Sequence, residues 1–279
     1  MDDRFRQFPR DLGARARNTA FGGVPTLLAH PDWTSKAPFV FWMHGRTVNK
    51  ELDPGRYLRW VRAGIAAVSV DLPGHGERYD ESLQSPVRTL DVIEQAVGEV
   101  DTVLAALAAS DAAPYFDFTR AGIGGMSAGG MVTLRRLSDP HPPSLPRGFA
   151  AAAVEGTTGW LEGLYFPEKA GLPRADRWLV EHPEDKLLRL DPMRHLSTFT
   201  PIPLLALHSK ADQMVPWEGM SIYLERLKAN YRARGEHPSK IEIHTWDSTG
   251  APQEHAGFGK FANDAKNMQV DFLKSRLGV

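Results

Sequence analysis

A chain of 279 residues, 42% of them hydrophobic, is long enough to bury a full core, and one large domain is preferred over two small ones. Its 33 Lys and Arg against 34 Asp and Glu leave a formal net charge of -1 with the signs interspersed, so no basic field favours nucleic acid. The absence of cysteine removes disulfides, thiolate nucleophiles and Cys-based zinc sites, while the charged opening MDDRFRQFPRDLGARARN and the lack of any apolar run of bilayer length predict a cytoplasmic enzyme without a membrane span.

Short apolar runs alternate with longer amphipathic stretches, the pattern expected when helices cross over between parallel strands. The first run, 39–43, ends abruptly in His44-Gly45, where the backbone can turn and present the Arg46 N–H as an oxyanion donor; a simple strand-end turn would read the same way. The run 65–71 closes on DLPGHG. Ser85-Pro86 then supplies an N-cap and a first-turn proline, and Leu90, Ile93, Val97, Val100, Leu104 and Leu107 follow at steps of three and four. That spacing predicts a helix with all six on one face.

The segment AGIGGMSAGGMVTL reads as a strand at 121–126, a glycine-rich turn carrying Ser127, and a helix that buries Met131, Leu134 and Leu137. Gly125 and Gly129 flank Ser127 in a G-x-S-x-G arrangement. A serine lifted onto a strained strand-to-helix turn needs small neighbours. The helix N-terminus behind it favours developing negative charge, with the Ala128 backbone N–H as an oxyanion donor. A bare G-x-S-x-G arises by chance in a chain with 25 glycines, but a strand before it and a helix after it are the context the motif demands.

Strand-HG, strand-DxPGHG and GxSxG in this order resemble the α/β-hydrolase superfamily, and within it small bacterial esterases related to dienelactone hydrolases and to the catalytic domains of prolyl oligopeptidases. The resemblance runs over roughly residues 22–275. It implies an α/β fold with a mostly parallel eight-stranded sheet flanked by helices, one domain over 1–279, and a triad in the chain order serine, acid, histidine. His75 is then a structural residue of its loop. Ser127 stands where the dienelactone hydrolases themselves carry cysteine.

After the run 149–154 comes 155–200, which holds Trp160, Leu161, Leu164, Tyr165, Phe166 and Trp178 among prolines and charges. It is longer than an ordinary connection and is expected to form a lid with short helices. Trp160, Leu164, Tyr165 and Phe166 would wall a substrate pocket; surface filler with a few buried aromatics is the alternative. A strand at 202–207 leads to Asp212, just before a proline and a helix starting near Trp217. This resembles the family's strand-HGxxDxxVP segment, with Ser209 where glycine is usual. Asp191 is the rival acid, but it precedes the strand and suits a cap or turn.

A serine hydroxyl needs an imidazole within hydrogen-bond reach and a carboxylate to hold that imidazole. His255, between the strand 241–246 and a final helix carrying Phe261, Ala265, Met268 and Phe272, is the candidate base. His244 lies inside the strand, and His208 ends a strand beside the acid and supports its loop. No histidine spacing matches a metal site, so neither metal nor cofactor is expected.

These readings predict a serine hydrolase that cleaves carboxylic esters with small or short acyl groups through an acyl-enzyme on Ser127. A thioesterase or acyltransferase would use the same residues, and a small-peptide hydrolase ranks lower because the chain offers no long N-terminal domain to gate peptides. The reading of a different class is a non-catalytic binding module on the same fold. A complete Ser127, Asp212 and His255 set argues against it. The expected partner is a small ester, with no role for nucleic acid and no oligomeric state specified.

Overall fold

The apolar runs become strands of one sheet. In the computed structural model, which describes residues 8–172 and 180–279, these are β1 (Ala16–Phe21), β2 (Val24–Ala29), β3 (Ala37–Met43), β4 (Ala66–Val70), β5 (Phe116–Met126), β6 (Phe149–Glu155), β7 (Leu204–Ser209) and β8 (Ile241–Trp246). Their spatial order is β1-β2-β4-β3-β5-β6-β7-β8. The β1/β2 and β2/β4 pairs are antiparallel and the rest are parallel.

Every residue of β3 is buried, because alternate side chains enter two cores: Phe39, Phe41 and Met43 face one, and Val40 and Trp42 the other. The helices supply the two covers. On the first face lie α3 (Thr89–Ala108), α4 (Ala128–Arg136) and α7 (Trp217–Ala233), with the short α5 (Leu161–Tyr165) and α6 (Glu184–Leu190). On the second lie α1 (Arg10–Gly13), α2 (Pro54–Arg62) and α8 (Ala262–Leu277). Along α3, Leu90, Ile93, Val100, Leu104 and Leu107 are buried and Val97 packs partly buried against the same core, as the three- and four-residue spacing requires.

Four local features differ from expectation. Ser85 does not cap α3: Pro86–Arg88 form a separate turn, and the Ser85 side chain makes no capping hydrogen bond. The seventh strand starts at Leu204 and not at 202, because Pro203 has no N–H to give to a ladder. Phe261 precedes α8, where its ring stacks on Trp246 at 5.7 Å. The β1–β2 hairpin was absent from the apolar pattern because four of the six residues of β1 are exposed. Of the segment 155–200, Trp178 lies outside the described residues.

Parallel strands bring their carboxyl ends to one edge, and that is where the loops after β3, β4, β5, β6, β7 and β8 meet. Catalytic and binding residues of open α/β sheets collect at this edge.

Candidate active site

Ser127 sits between β5 and α4 at φ 52° and ψ -118°, a left-handed conformation that a non-glycine residue adopts only when its surroundings enforce it. The enforcing contacts are visible. The Ser127 N–H donates to the Glu155 carbonyl at 2.9 Å, and the Ser127 carbonyl accepts from Met131 N at 3.0 Å and Thr157 Oγ1 at 2.7 Å. A Cβ on Gly125 would run into the carbonyl group of Gly129, and one on Gly129 into the carbonyls of Met43 and His44, so the two glycines of the motif answer a lack of space.

Asp212 lies on the loop after β7 and His255 on the loop after β8. Asp212 Oδ1 accepts the backbone N–H groups of Met214 and Val215, each at 2.8 Å, which turns Oδ2 toward His255 Nδ1, also at 2.8 Å. His255 Nε2 lies 2.9 Å from Ser127 Oγ. A carboxylate only accepts, so Nδ1 carries the proton and Nε2 is free to accept from the hydroxyl. Asp212 is 1% exposed at its side chain and His255 13%, so the acid is shielded while the imidazole edge meets solvent.

Two supports were not foreseen. Glu254 accepts from Ser209 Oγ (2.8 Å), Ser248 Oγ (3.0 Å), Thr249 N and Oγ1 (2.6 and 2.8 Å) and Gly250 N (2.8 Å). The Thr249 N–H, first among these, holds its carboxyl down to about 2. Behind the serine turn, Glu155 is gripped by both terminal nitrogens of Arg56 (2.7 and 2.8 Å) and by Gln269 Nε2 (2.9 Å), while Arg56 lies over the Trp42 ring at 4.3 Å. A carboxylate closing the apolar run FAAAAVE was the available signal for a buried charge needing a partner.

The remaining candidates fall as follows. A Cβ on Gly45 would stand 3.4 Å from Ser127 Cβ, so Arg46 follows a residue that abuts the serine. Its guanidinium turns away to the carbonyls of Leu83 (2.7 Å), Gln84 (2.7 Å) and Ser85 (3.1 Å) and to Thr89 Oγ1. His75 is buried with Nδ1 on the Pro73 carbonyl, inside its own loop. His208 Nε2 donates to Val215 O at 2.8 Å and braces the acid loop. His244 packs on Trp246 at 4.5 Å. Asp191 is fully buried and receives Leu161 N, Glu162 N and Met193 N at 2.9, 3.0 and 3.1 Å; burial pushes its carboxyl up to about 6, and it serves as a cap, not as a partner of His255.

Of the four pocket candidates, Leu164 lines a narrow crevice, with a volume of about 10 Å³, together with Thr158, Leu172, Pro216, Glu218 and Gly219. Trp160 covers Gly163, also in that wall, and Phe166 is partly buried. Tyr165 is a correction: it is fully buried against His182 at 4.4 Å and offers a ligand no surface, because α5 folds its aromatic face inward. Among the described residues, no group of three or more His, Asp or Glu is placed to hold a metal ion, and no helix is long and apolar enough to cross a membrane.

Five histidines here are buried: His30, His44, His75, His182 and His208. Desolvation lowers each below the ordinary 6.5, His44 to about 4. Their native forms stay neutral while the unfolded imidazoles protonate. Their contribution to stability is therefore complete above pH 6.5 and is lost as pH falls through the folded values. Asp191, raised to about 6, runs the other way and offsets about one of them. Urea midpoints should therefore fall as pH is lowered from 7 to 4. A flat profile over that range would contradict neutral burial.

The fold is that of an α/β-hydrolase, with the eight-stranded sheet and the loops at its carboxyl edge arranged as in that class. The chain belongs to the prolyl oligopeptidase family, whose profile matches residues 57–277, and it is a serine hydrolase. No curated protein matches it in sequence. In structure it is similar to TT1662 from Thermus thermophilus (TM-score 0.69, 19% identity, covering 95% of this chain and 98% of that one). It is similar too to the esterase Pf2001 of Pyrococcus furiosus (0.66, 18%, covering 98% and 97%). The acylaminoacyl peptidase of Pyrococcus horikoshii gives 0.67 and 18%, but there the match covers 94% of this chain and only 41% of the peptidase.

Proposed function

We propose that the chain hydrolyses carboxylic esters through an acyl-enzyme on Ser127. His255 Nε2 takes the hydroxyl proton as Ser127 Oγ attacks the ester carbonyl, then hands it to the departing alcohol; a water molecule repeats the sequence to release the acid. Asp212 holds the tautomer and stabilises the imidazolium. The backbone N–H groups of Arg46 and Ala128 receive the oxyanion. The observation that carries the reading is the unbroken hydrogen-bonded chain from Ser127 Oγ through His255 to Asp212, at 2.9 and 2.8 Å. The end-to-end correspondence with the Pyrococcus furiosus esterase supports esters as substrates.

In this reading the described residues of the segment, 156–172 and 180–200, form the lid of the site, with the wall around Leu164 and Trp160 meeting a short acyl group. Each methylene that does not fit forfeits about 1–3 kcal/mol of transition-state binding, so kcat/KM should fall steeply along p-nitrophenyl esters from butyrate to decanoate. Leu164→Ala and Trp160→Ala should flatten that fall. Identical profiles in all three proteins would make the segment structural. Peptide-bond hydrolysis is the second reading, favoured by the family match. Acyl p-nitroanilides matched to the esters decide between them: comparable turnover of the anilides would identify a peptidase.

A further inference from the structure

We propose that Glu254 is a positioning residue for His255, and that Ser209 couples the acid loop to it; this deepens the serine-hydrolase reading and rests on it. The loop between β8 and α8 holds only two single 3-10 turns, Pro252–Glu254 and Gly259–Phe261, and in the first of them two consecutive residues before His255, Gln253 (φ 51°) and Glu254 (φ 54°), hold left-handed conformations that side chains disfavour. A loop in that state relaxes unless contacts hold it. The Glu254 carboxylate provides them. Its two oxygens take five hydrogen bonds, three from the backbone and side chain of Thr249 and the backbone of Gly250, one from Ser248 and one from Ser209.

None of those bonds goes to His255, whose own ring nitrogens are engaged by Asp212 and Ser127. Glu254 therefore acts through the main chain, setting the direction from which the next residue enters the site. The Ser209 bond adds a second function. Ser209 ends β7 three residues before Asp212, and the Asp212 N–H donates to its carbonyl at 3.2 Å. One hydroxyl thus ties the acid loop to the base loop, and a backbone bond from Gln213 N to Gln253 O at 3.1 Å lies beside it. Glycine, the residue usual at 209 in the segment this one resembles, has no hydroxyl for such a tie.

The test is a double-mutant cycle on Glu254→Gln and Ser209→Gly, reading kcat, KM, the rate of fluorophosphonate labelling of Ser127 and the thermal midpoint. A misplaced imidazole of the order of an ångström costs about a hundredfold. Glu254→Gln should lower kcat and the labelling rate together by about tenfold to a hundredfold, with KM changed by less than about threefold and the thermal midpoint nearly kept. Ser209→Gly should cost about threefold alone and less than that in the Glu254→Gln background, because a neutral amide holds the Ser209 hydroxyl more weakly than the carboxylate does. Glu254→Asp should recover part of the loss. Parental kcat in folded Glu254→Gln overturns the proposal, as do independent, multiplying effects of the two changes. If Glu254→Gln does not fold, parental kcat in Ser209→Gly overturns it instead. Ser127→Ala is the control: turnover surviving there defeats the serine-hydrolase reading itself, whereas its loss beside unaffected Glu254→Gln defeats only this inference.

Discussion

Ser127→Ala should lower kcat by roughly a million-fold, about 8 kcal/mol of transition-state stabilisation, and abolish covalent labelling by a fluorophosphonate. Without the hydroxyl there is no acyl-enzyme, and His255 has no proton to take from residue 127. What survives is the residual acceleration from oxyanion donors and substrate positioning, which the substitution leaves in place. The fold should survive as well, because the bonds that hold this turn run through the main chain of Ser127, to Glu155, Met131 and Thr157. Alanine inherits the strained φ of 52°. Ser127→Gly should therefore be equally inactive yet more stable than Ser127→Ala by about 1 kcal/mol, since glycine bears that conformation without penalty. Turnover in Ser127→Ala within tenfold of the parent would end the acyl-enzyme reading.

The serine turn was legible because its determinants are local. Gly125, Ser127 and Gly129 are neighbours in sequence and in space, and the strand and helix on either side announce themselves by apolar pattern. Asp212 and His255 were legible for a related reason: each follows a recognisable strand, and parallel strands deliver their following loops to one edge. What stayed hidden depends on partners far along the chain. Arg56 on α2 and Gln269 on α8 meet Glu155 at the end of β6, and nothing near any one of them in sequence names the others. Helix α2 carries Arg56 on its inward face beside Tyr57, Trp60 and Val61, which keep the three- and four-residue spacing of a buried helix side.

Tyr165 illustrates the limit of reading a lid from its aromatics. The same composition suits a pocket wall and an inward-facing anchor, and only the direction of α5 separates the two. Ser209 shows the converse. Its departure from the usual glycine was visible in the sequence, but the reason for it, the carboxylate of Glu254, lies 45 residues away.

His255→Ala should be about as damaging as the serine change, close to a million-fold in kcat, whereas Asp212→Asn should cost about ten thousand-fold. The difference follows from which atoms each change alters. Removing the imidazole leaves the Ser127 hydroxyl with no acceptor, because Nε2 of His255 at 2.9 Å is its hydrogen-bond partner. In Asp212→Asn the side-chain oxygen is claimed by the backbone N–H groups of Met214 and Val215, as Oδ1 is in the parent. The amide nitrogen then takes the place of Oδ2 opposite His255 Nδ1. Being a donor, it requires Nδ1 to be unprotonated, so the ring proton moves to Nε2 and the imidazole can no longer accept from Ser127. The geometry is kept and the tautomer is wrong. His244→Ala supplies the contrast, since its ring packs on Trp246 within β8 and reaches neither Ser127 nor Asp212; it should retain kcat within a few-fold of the parent. Steady-state kinetics on a p-nitrophenyl ester for the three variants checks the order. Inactivation by His244→Ala alongside an active His255→Ala would move the base to the strand and dissolve the assignment of Asp212 with it.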